Sequence, residues 1–197
     1  MNGERPGDET GSKSCRKRQD EARLVQRAKQ GDSRAAGELY QRHADAIYRY
    51  VWARVQDDVI AEDLTGQVFL KALEGLSTYE STDKPFLSWL YRIAYARVVD
   101  HWRQQDRCEE IPLDDALPAR DPRPYELLAA EADWGRAIDL LAHLTDDQQD
   151  VIILRFVGEM SLSDVAETLG KTVGATKAVQ HRALASLARL LATEEKP

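Results

Sequence analysis

The sequence predicts an all-α protein with two small helical domains joined by a flexible, acidic, Pro-containing linker. Apolar residues recur at the three- and four-residue spacing of amphipathic helices along most of the 197 residues. Runs of β-branched residues are scarce, and four of the seven prolines lie together in one short segment. We therefore expect a disordered tail over 1–19, a four-helix domain over 20–107, the linker over 108–124 and a helix-turn-helix domain over 125–193.

The first domain opens with a helical pattern that begins at Glu21. Gly31 interrupts this pattern, and Asp32 or Ser33 can cap the helix that follows. A second interruption at 56–58 separates the next two helices. The expected apolar faces of these two helices consist of Ala36, Leu39, Tyr40, His43, Ile47, Tyr50, Val51 and Val55, then Ile60, Leu64, Val68, Phe69, Ala72 and Leu76.

The fourth helix is predicted from Pro85, which suits a first helical position, to Asp106. Its core face is expected to contain Phe86, Leu87, Leu90, Ala94 and Val98, and its far face Ser88, Arg92, Tyr95, Val99 and Arg103. The segment 108–124 then combines five acidic residues with four prolines. No helix can run through that proline spacing, so this segment is predicted to be the linker.

The second domain shows helix boundaries that can be read locally. Thr145 with Gln148 three positions later forms a capping-box pattern, and Gly158 ends the helix, whose buried residues should include Val151, Ile152, Leu154 and Phe156. Ser161 caps a short helix, and Gly170 suits a left-handed C-terminal cap. The last helix is expected over about 174–191. The short helix, the tight turn and the longer helix form a helix-turn-helix.

Composition excludes several classes of protein. No stretch approaches the roughly 20 apolar residues that span a bilayer, and the polar start is unlike a secretory signal, so we expect a cytoplasmic protein without membrane insertion. Cys15 and Cys108 are isolated, which predicts reduced thiols and no metal site. The four His are scattered, and no phosphate loop or catalytic arrangement occurs. We predict no enzyme, no catalytic residue and no cofactor.

Charge is distributed in a way that indicates nucleic-acid binding. The net charge is -7, yet no Asp or Glu occurs from Lys171 to Thr193, where four basic residues lie. The outward N-terminal part of the last helix would then enter the major groove. Its candidate contacts are Ala175, Thr176, Lys177, Gln180, His181 and Arg182. The alternative is a plain helical hairpin with a solvated basic face.

A second basic stripe runs from Lys84 to Arg107. From Trp89 onward, four aromatic residues are interleaved with four arginines, a combination that suits a single strand whose bases stack on rings. The aromatic residues are Trp89, Tyr91, Tyr95 and Trp102, and the arginines are Arg92, Arg97, Arg103 and Arg107. The alternative for Trp89 and Tyr91 is that they complete the helical core.

Four segments in this order resemble the extracytoplasmic-function (ECF) group of the sigma-70 family of RNA polymerase sigma factors. "DSRAAGELYQRHADAIYRYVWARV" is similar to the family's opening helix, and "DVIAEDLTGQVFLKALEGL" to the segment that binds the polymerase clamp. "PFLSWLYRIAYARVVDHWRQQDR" resembles the promoter-melting segment. The sequence "LTDDQQDVIILRFVGEMSLSDVAETLGKTVGATKAVQHRALASLARLL" resembles the C-terminal helix-turn-helix. The resemblance covers nearly everything from Glu21 to Leu191.

The resemblance implies a sigma factor that binds core RNA polymerase and directs promoter-specific initiation. The implied polymerase-binding residues are Asp63, Thr65, Gln67, Phe69 and Lys71, which would face the clamp coiled coil of the largest subunit, and the flap region is a further contact. The -10 element would be melted and read by Tyr79, Lys84, Trp89, Arg92 and Arg103. The -35 element would be read by the six recognition-helix residues given above. Promoter DNA, as duplex and as melted strand, and an anti-sigma factor are the other implied partners.

Two departures and two rival functions accompany this interpretation. Ala96 stands where the family often has Asn, and Thr176 where Val is common. We hypothesise that the loop 77–84, which contains Tyr79, receives one extruded base. A stand-alone regulator would give the aromatic-basic fourth helix no role, and a protein-binding adaptor would not need the basic recognition helix.

Overall fold

The protein, seen in a computed structural model, is described over residues 9–80, 85–108 and 139–194 and is helical without a strand in these ranges. The all-α prediction is therefore confirmed. The chain divides into two compact units between Arg97 and Val98, inside the fourth helix. The tail up to residue 8 and the linker residues 109–124 lie outside the described residues, as does the start of the second domain, so the domain limits stay predictions.

The first unit is built from α1 (Glu9–Lys29), α2 (Ser33–Val55), α3 (Asp58–Gly75), a short 3-10 turn (Leu76–Thr78) and the start of α4 (Phe86–Cys108). α2 packs against both α1 and α3. α1 begins at Glu9, inside the segment 1–19 for which we expected disorder. Extending an existing helix costs little compared with starting one, and residues 9–20 contain no proline.

The predicted cap of α2 is confirmed as Asp32. Its carboxylate accepts hydrogen bonds from the backbone N–H groups of Arg34 at 3.0 Å and Ala35 at 3.2 Å. The Arg27 guanidinium donates to the same side chain at 2.6 Å and is the main cause that lowers the pKa of Asp32. Gly31, with φ +88°, allows the tight reversal between α1 and α2.

The core of the first unit follows the predicted faces with two differences. Leu39, Ile47, Val68 and Leu90 are buried, whereas Tyr40 is 47% exposed and packs edge-on against Phe69. Ser88, which we placed on the far face of α4, is buried. α4 buries a wider arc than one apolar stripe because Tyr91 packs edge-on against Tyr50 with their ring centroids 5.5 Å apart.

The second unit contains a helical segment at 139–142, then α5 (Asp146–Ile152), a π turn (Ile153–Val157), α6 (Leu162–Thr168) and α7 (Val173–Glu194). The capping box of Thr145 and Gln148 is confirmed. The burial predicted for Phe156 is wrong, because this side chain is 56% exposed while Ile153 is buried. The π turn inserts one extra residue and thereby rotates the following side chains away from the expected face.

Candidate nucleic-acid and polymerase interfaces

Three aromatic rings meet where the 3-10 turn gives way to α4. The Tyr79 and Trp89 ring centroids are 4.7 Å apart, those of Tyr79 and Phe86 5.3 Å, and those of Phe86 and Trp89 5.4 Å. Tyr79 and Phe86 are buried, and Trp89 is half-buried. We call Tyr79, Phe86 and Trp89 the aromatic cluster. Burial raises the pKa of the Tyr79 hydroxyl, so this group stays neutral.

One close packing contact and two long-range hydrogen bonds hold the aromatic cluster in place. A Cβ added at Gly75, the last residue of α3, would lie 3.4 Å from Cζ2 of Trp89, so the indole packs closely over the end of that helix. The Lys29 ammonium donates to the Tyr79 carbonyl at 2.7 Å. The Glu21 carboxylate accepts from the Phe86 N–H at 3.3 Å. Neither α1 residue was predicted as functional from the sequence.

Two of the arginines predicted on α4 lie at the surface, and Arg97 is half-buried. Arg92 and Arg103 are both exposed. Trp102 is 36% exposed. Tyr91 is fully buried and is therefore a core residue, which agrees with the alternative interpretation given for it from the sequence. Lys84 lies outside the described residues. The described part of the second basic stripe thus offers exposed cations along α4 and one half-buried indole at its start.

The residues proposed for polymerase binding fall on two faces of α3. Asp63, Gln67 and Lys71 are exposed, and Gln67 donates to the Asp63 carboxylate at 2.8 Å. Thr65 and Phe69 are buried, so they face the core of the unit. The sequence spacing alone did not separate these two groups.

Two exposed leucines on the same helix were not among the site residues predicted from the sequence. Leu70 is 61% exposed and Leu73 is 53% exposed. They lie off the stripe of Leu64, Val68 and Ala72, which is buried. Their position outside the predicted apolar stripe of an amphipathic helix could have predicted that they are exposed.

The helix-turn-helix is formed by α6, the turn at 169–172 and α7. The Ser161 hydroxyl accepts from the Asp164 N–H at 3.1 Å, as the sequence predicted. Gly170 has φ +63°, which confirms the predicted left-handed C-terminal cap. Ala166 is 2% exposed, where α6 packs on α7. A Lys171–Asp147 ion pair of 2.9 Å connects the turn to the start of α5.

The recognition-helix residues are mostly presented to solvent. Ala175, Lys177, His181 and Arg182 are exposed and Gln180 is half-buried. Thr176 is fully buried, and its hydroxyl donates to the Thr172 carbonyl at 3.0 Å. Five of the six candidates can therefore reach a ligand, and Thr176 packs inside the unit.

Neither a metal site nor a membrane span emerges from the part of the chain that the structure describes. Among these residues no group of three His, Cys, Asp or Glu side chains could hold a metal ion. No helix in the described ranges is long and apolar enough to cross a membrane.

Comparisons with known proteins agree with this arrangement. A family model described as Sigma-70 region 2 matches residues 39–108, and one described as Sigma-70, region 4 matches residues 140–189. The ECF RNA polymerase sigma factor BldN of Streptomyces coelicolor is 35% identical over 170 residues, which cover 85% of this chain and 64% of BldN. SigD of Mycobacterium tuberculosis, an ECF RNA polymerase sigma factor, is 35% identical over 172 residues, covering 83% of this chain and 80% of SigD.

A solved structure of CnrH in complex with the cytosolic domain of CnrY is also similar, with 26% identity and a TM-score of 0.66. The alignment covers 87% of this chain and 97% of that one. A helical unit with region 2 followed by one with region 4 defines the class of sigma-70-type transcription initiation factors. The chain belongs to the ECF group of that family. It directs RNA polymerase to promoters, and sigma factors are initiation factors, not catalysts.

Proposed function

We propose that the two domains, with the limits 20–107 and 125–193, divide promoter recognition between them. The first binds the -10 element and its melted strand, and the helix-turn-helix binds the -35 element as duplex. The observation that carries this proposal is the aromatic cluster at the start of α4, next to the exposed Arg92. Unpaired bases stack on aromatic faces and phosphates pair with cations.

In the first domain, we propose separate roles for the -10 candidates. Trp89 offers the more accessible ring of the aromatic cluster for a base, and Tyr79, which is 9% exposed, supports that ring from behind. The exposed Arg92 and Arg103 each neutralise a phosphate of the promoter. Lys84 belongs to this set through the family resemblance alone.

For polymerase binding, we propose that the exposed Asp63, Gln67 and Lys71 contact the clamp coiled coil. Leu70 and Leu73 add an apolar centre to this polar surface, as is usual for protein interfaces. Thr65 and Phe69 act from inside by fixing how α3 packs. Polymerase binding is needed because a chain with net charge -7 has little DNA affinity of its own.

In the second domain, we propose that Lys177, Gln180, His181 and Arg182 contact bases and phosphates of the -35 element. Ala175 lies at the exposed start of α7 and can approach a thymine methyl group. The flap region of the polymerase is the proposed protein contact of this domain. Thr176 contributes packing, since its hydroxyl is satisfied inside the unit.

Regulation and location complete the proposal. CnrH was solved with a bound protein domain, and we propose that this chain likewise binds an anti-sigma factor. We propose that the chain acts in the cytoplasm with RNA polymerase, and that it is not itself an enzyme.

The division of labour is tested with holoenzyme on a promoter found by transcribing a genomic fragment library. Arg103→Ala should slow melting, followed by permanganate reactivity, while sensitivity to -35 base changes is retained. Lys177→Ala should weaken the initial duplex complex and reduce discrimination at -35, with melting of bound promoter unchanged. Both side chains are exposed, so folding should be unaffected. If the two variants gave the same defects at both elements, the proposed division would be wrong.

A further inference from the structure

Two hydrogen bonds from α1 reach the chain where it leaves α3 and where it enters α4. The Lys29 ammonium holds the Tyr79 carbonyl at 2.7 Å, across 50 residues of sequence. The Glu21 carboxylate holds the Phe86 N–H at 3.3 Å, across 65 residues. Tyr79 and Phe86 are two of the three members of the aromatic cluster. One helix therefore fixes the backbone on both sides of that cluster.

The Glu21 side chain is itself held from a third helix. Its second carboxylate oxygen lies 3.0 Å from Nε2 of His43 on α2, and the two side chains are 19% and 10% exposed. The His43 ring beside it is the main cause that lowers the pKa of Glu21, so the carboxyl group stays ionised. The His43 ring also lies against Phe86, with 5.8 Å between the ring centroids. An ionised, oriented acceptor forms a stronger hydrogen bond with an amide than a neutral one does.

The position of the Glu21 contact adds a second electrostatic effect. Phe86 is the first residue of α4, and the N–H groups of a first helical turn have no partner within their own helix. A carboxylate at this end also interacts favourably with the helix dipole. Glu21 thus supplies to α4, from a distant part of the sequence, the interaction that a local capping residue usually provides. Where α4 begins sets where Trp89, one turn later, presents its ring.

We propose that Glu21 and Lys29 are positioning residues for promoter melting, which hold the aromatic cluster ready to bind an unpaired promoter base. The inference rests on the base-binding role proposed above for the aromatic cluster. Binding a base to rings that are already in place avoids the entropy cost of ordering them during melting. Loss of either contact should therefore slow melting and leave attachment to core polymerase unchanged.

The test compares Lys29→Met with a matched control, Arg23→Met. Arg23 also carries a positive charge on α1, but its side chain is 78% exposed and its ion pair is with Asp20, one turn away. Lys29→Arg is the conservative variant, because it restores a charged donor. Each holoenzyme is assayed for the rate of permanganate-detected melting, for affinity to core polymerase and for transcription from a template that is already unpaired at -10.

We expect Lys29→Met to slow melting about tenfold, the effect typical of losing a hydrogen bond to a charged group. Arg23→Met should melt the promoter at the wild-type rate, and Lys29→Arg should recover most of the loss. On the pre-melted template the defect should largely disappear, which a general loss of folding would not produce. Glu21→Ala, which removes the Phe86 contact, gives a second and independent variant with the same expected pattern.

Trp89→Leu separates failure of this inference from failure of the proposed function. Leucine keeps apolar bulk beside Phe86 but removes the indole face on which a base would stack. If Trp89→Leu melts the promoter as fast as wild type, the aromatic cluster does not bind a base and the proposed function is wrong. If Trp89→Leu is slow while Lys29→Met and Glu21→Ala are both like wild type, the positioning role is overturned and the role of the cluster stands.

Discussion

Replacing the two exposed leucines of α3 should weaken the affinity of this sigma factor for core polymerase without unfolding it. Leu70 and Leu73 are 61% and 53% exposed, so alanine at both positions removes little of the core. In the complex the same side chains would be covered by the clamp coiled coil. The double variant Leu70→Ala, Leu73→Ala therefore separates binding from folding.

The size of the effect follows from the area that remains to be buried. Complete burial of a leucine side chain contributes about 1.5–3 kcal/mol, and somewhat more than half of each side chain is still exposed here. Alanine retains the Cβ, so each replacement should cost about 1 kcal/mol of binding free energy. The double variant should then bind core polymerase with about 30-fold weaker affinity.

The assay is competition with a fluorescently labelled sigma factor for core polymerase, together with thermal unfolding of the isolated variant. Arg23→Ala is the control, because Arg23 is 78% exposed on α1 and belongs to none of the proposed contacts. The control should bind core within about twofold of wild type. Wild-type affinity in a double variant that unfolds normally would show that this face of α3 does not carry the interaction.

Two further outcomes concern a half-buried acid, Glu21, and a buried hydroxyl, Thr176. Contact with His43 lowers the pKa of Glu21 below its usual 4.5. The stabilisation that the ionised Glu21 gives to the fold is therefore present above that value and disappears as the pH falls through the lower folded value. Urea unfolding from about pH 5 to 3 should therefore show a smaller loss of stability in Glu21→Gln than in wild type. The same dependence of unfolding free energy on pH in both proteins would contradict a stabilising role for the Glu21 carboxylate. Thr176→Val should change the free energy of unfolding by less than about 1 kcal/mol, because the Thr172 carbonyl still accepts the backbone N–H of residue 176 at 2.9 Å. Its affinity for -35 duplex should be unchanged, and a large loss would restore Thr176 as a direct DNA contact.

The helix boundaries that the sequence predicted well depend on residues close together in the chain. Asp32, Ser161 and the Thr145–Gln148 pair bond to groups within three residues, and Gly170 adopts the backbone conformation that its residue type favours. Such contacts are visible in sequence because the capping group and its partner are neighbours. Helical periodicity likewise identified most of the buried residues of α2 and α3.

The wrong predictions of burial and exposure came from structural effects that the helical periodicity of the sequence does not reveal. The exposure of Phe156 depends on one π turn, which shifts the helical phase after Ile153. The exposure of Tyr40 and the burial of Ser88 depend on which neighbouring helices cover them. On α7, the sequence alone did not distinguish Thr176, which is buried, from its exposed neighbour Lys177.

By itself, the sequence determined the helical class, the caps, the basic recognition helix and the order of segments that resembles an ECF sigma factor. Only the tertiary structure decided which candidates reach the surface and which support them from within. It also brought Glu21 to Phe86 and Lys29 to Tyr79, across 65 and 50 residues. Local patterns encode the interactions of a helix with itself, whereas pairings over such distances are set by how whole helices pack.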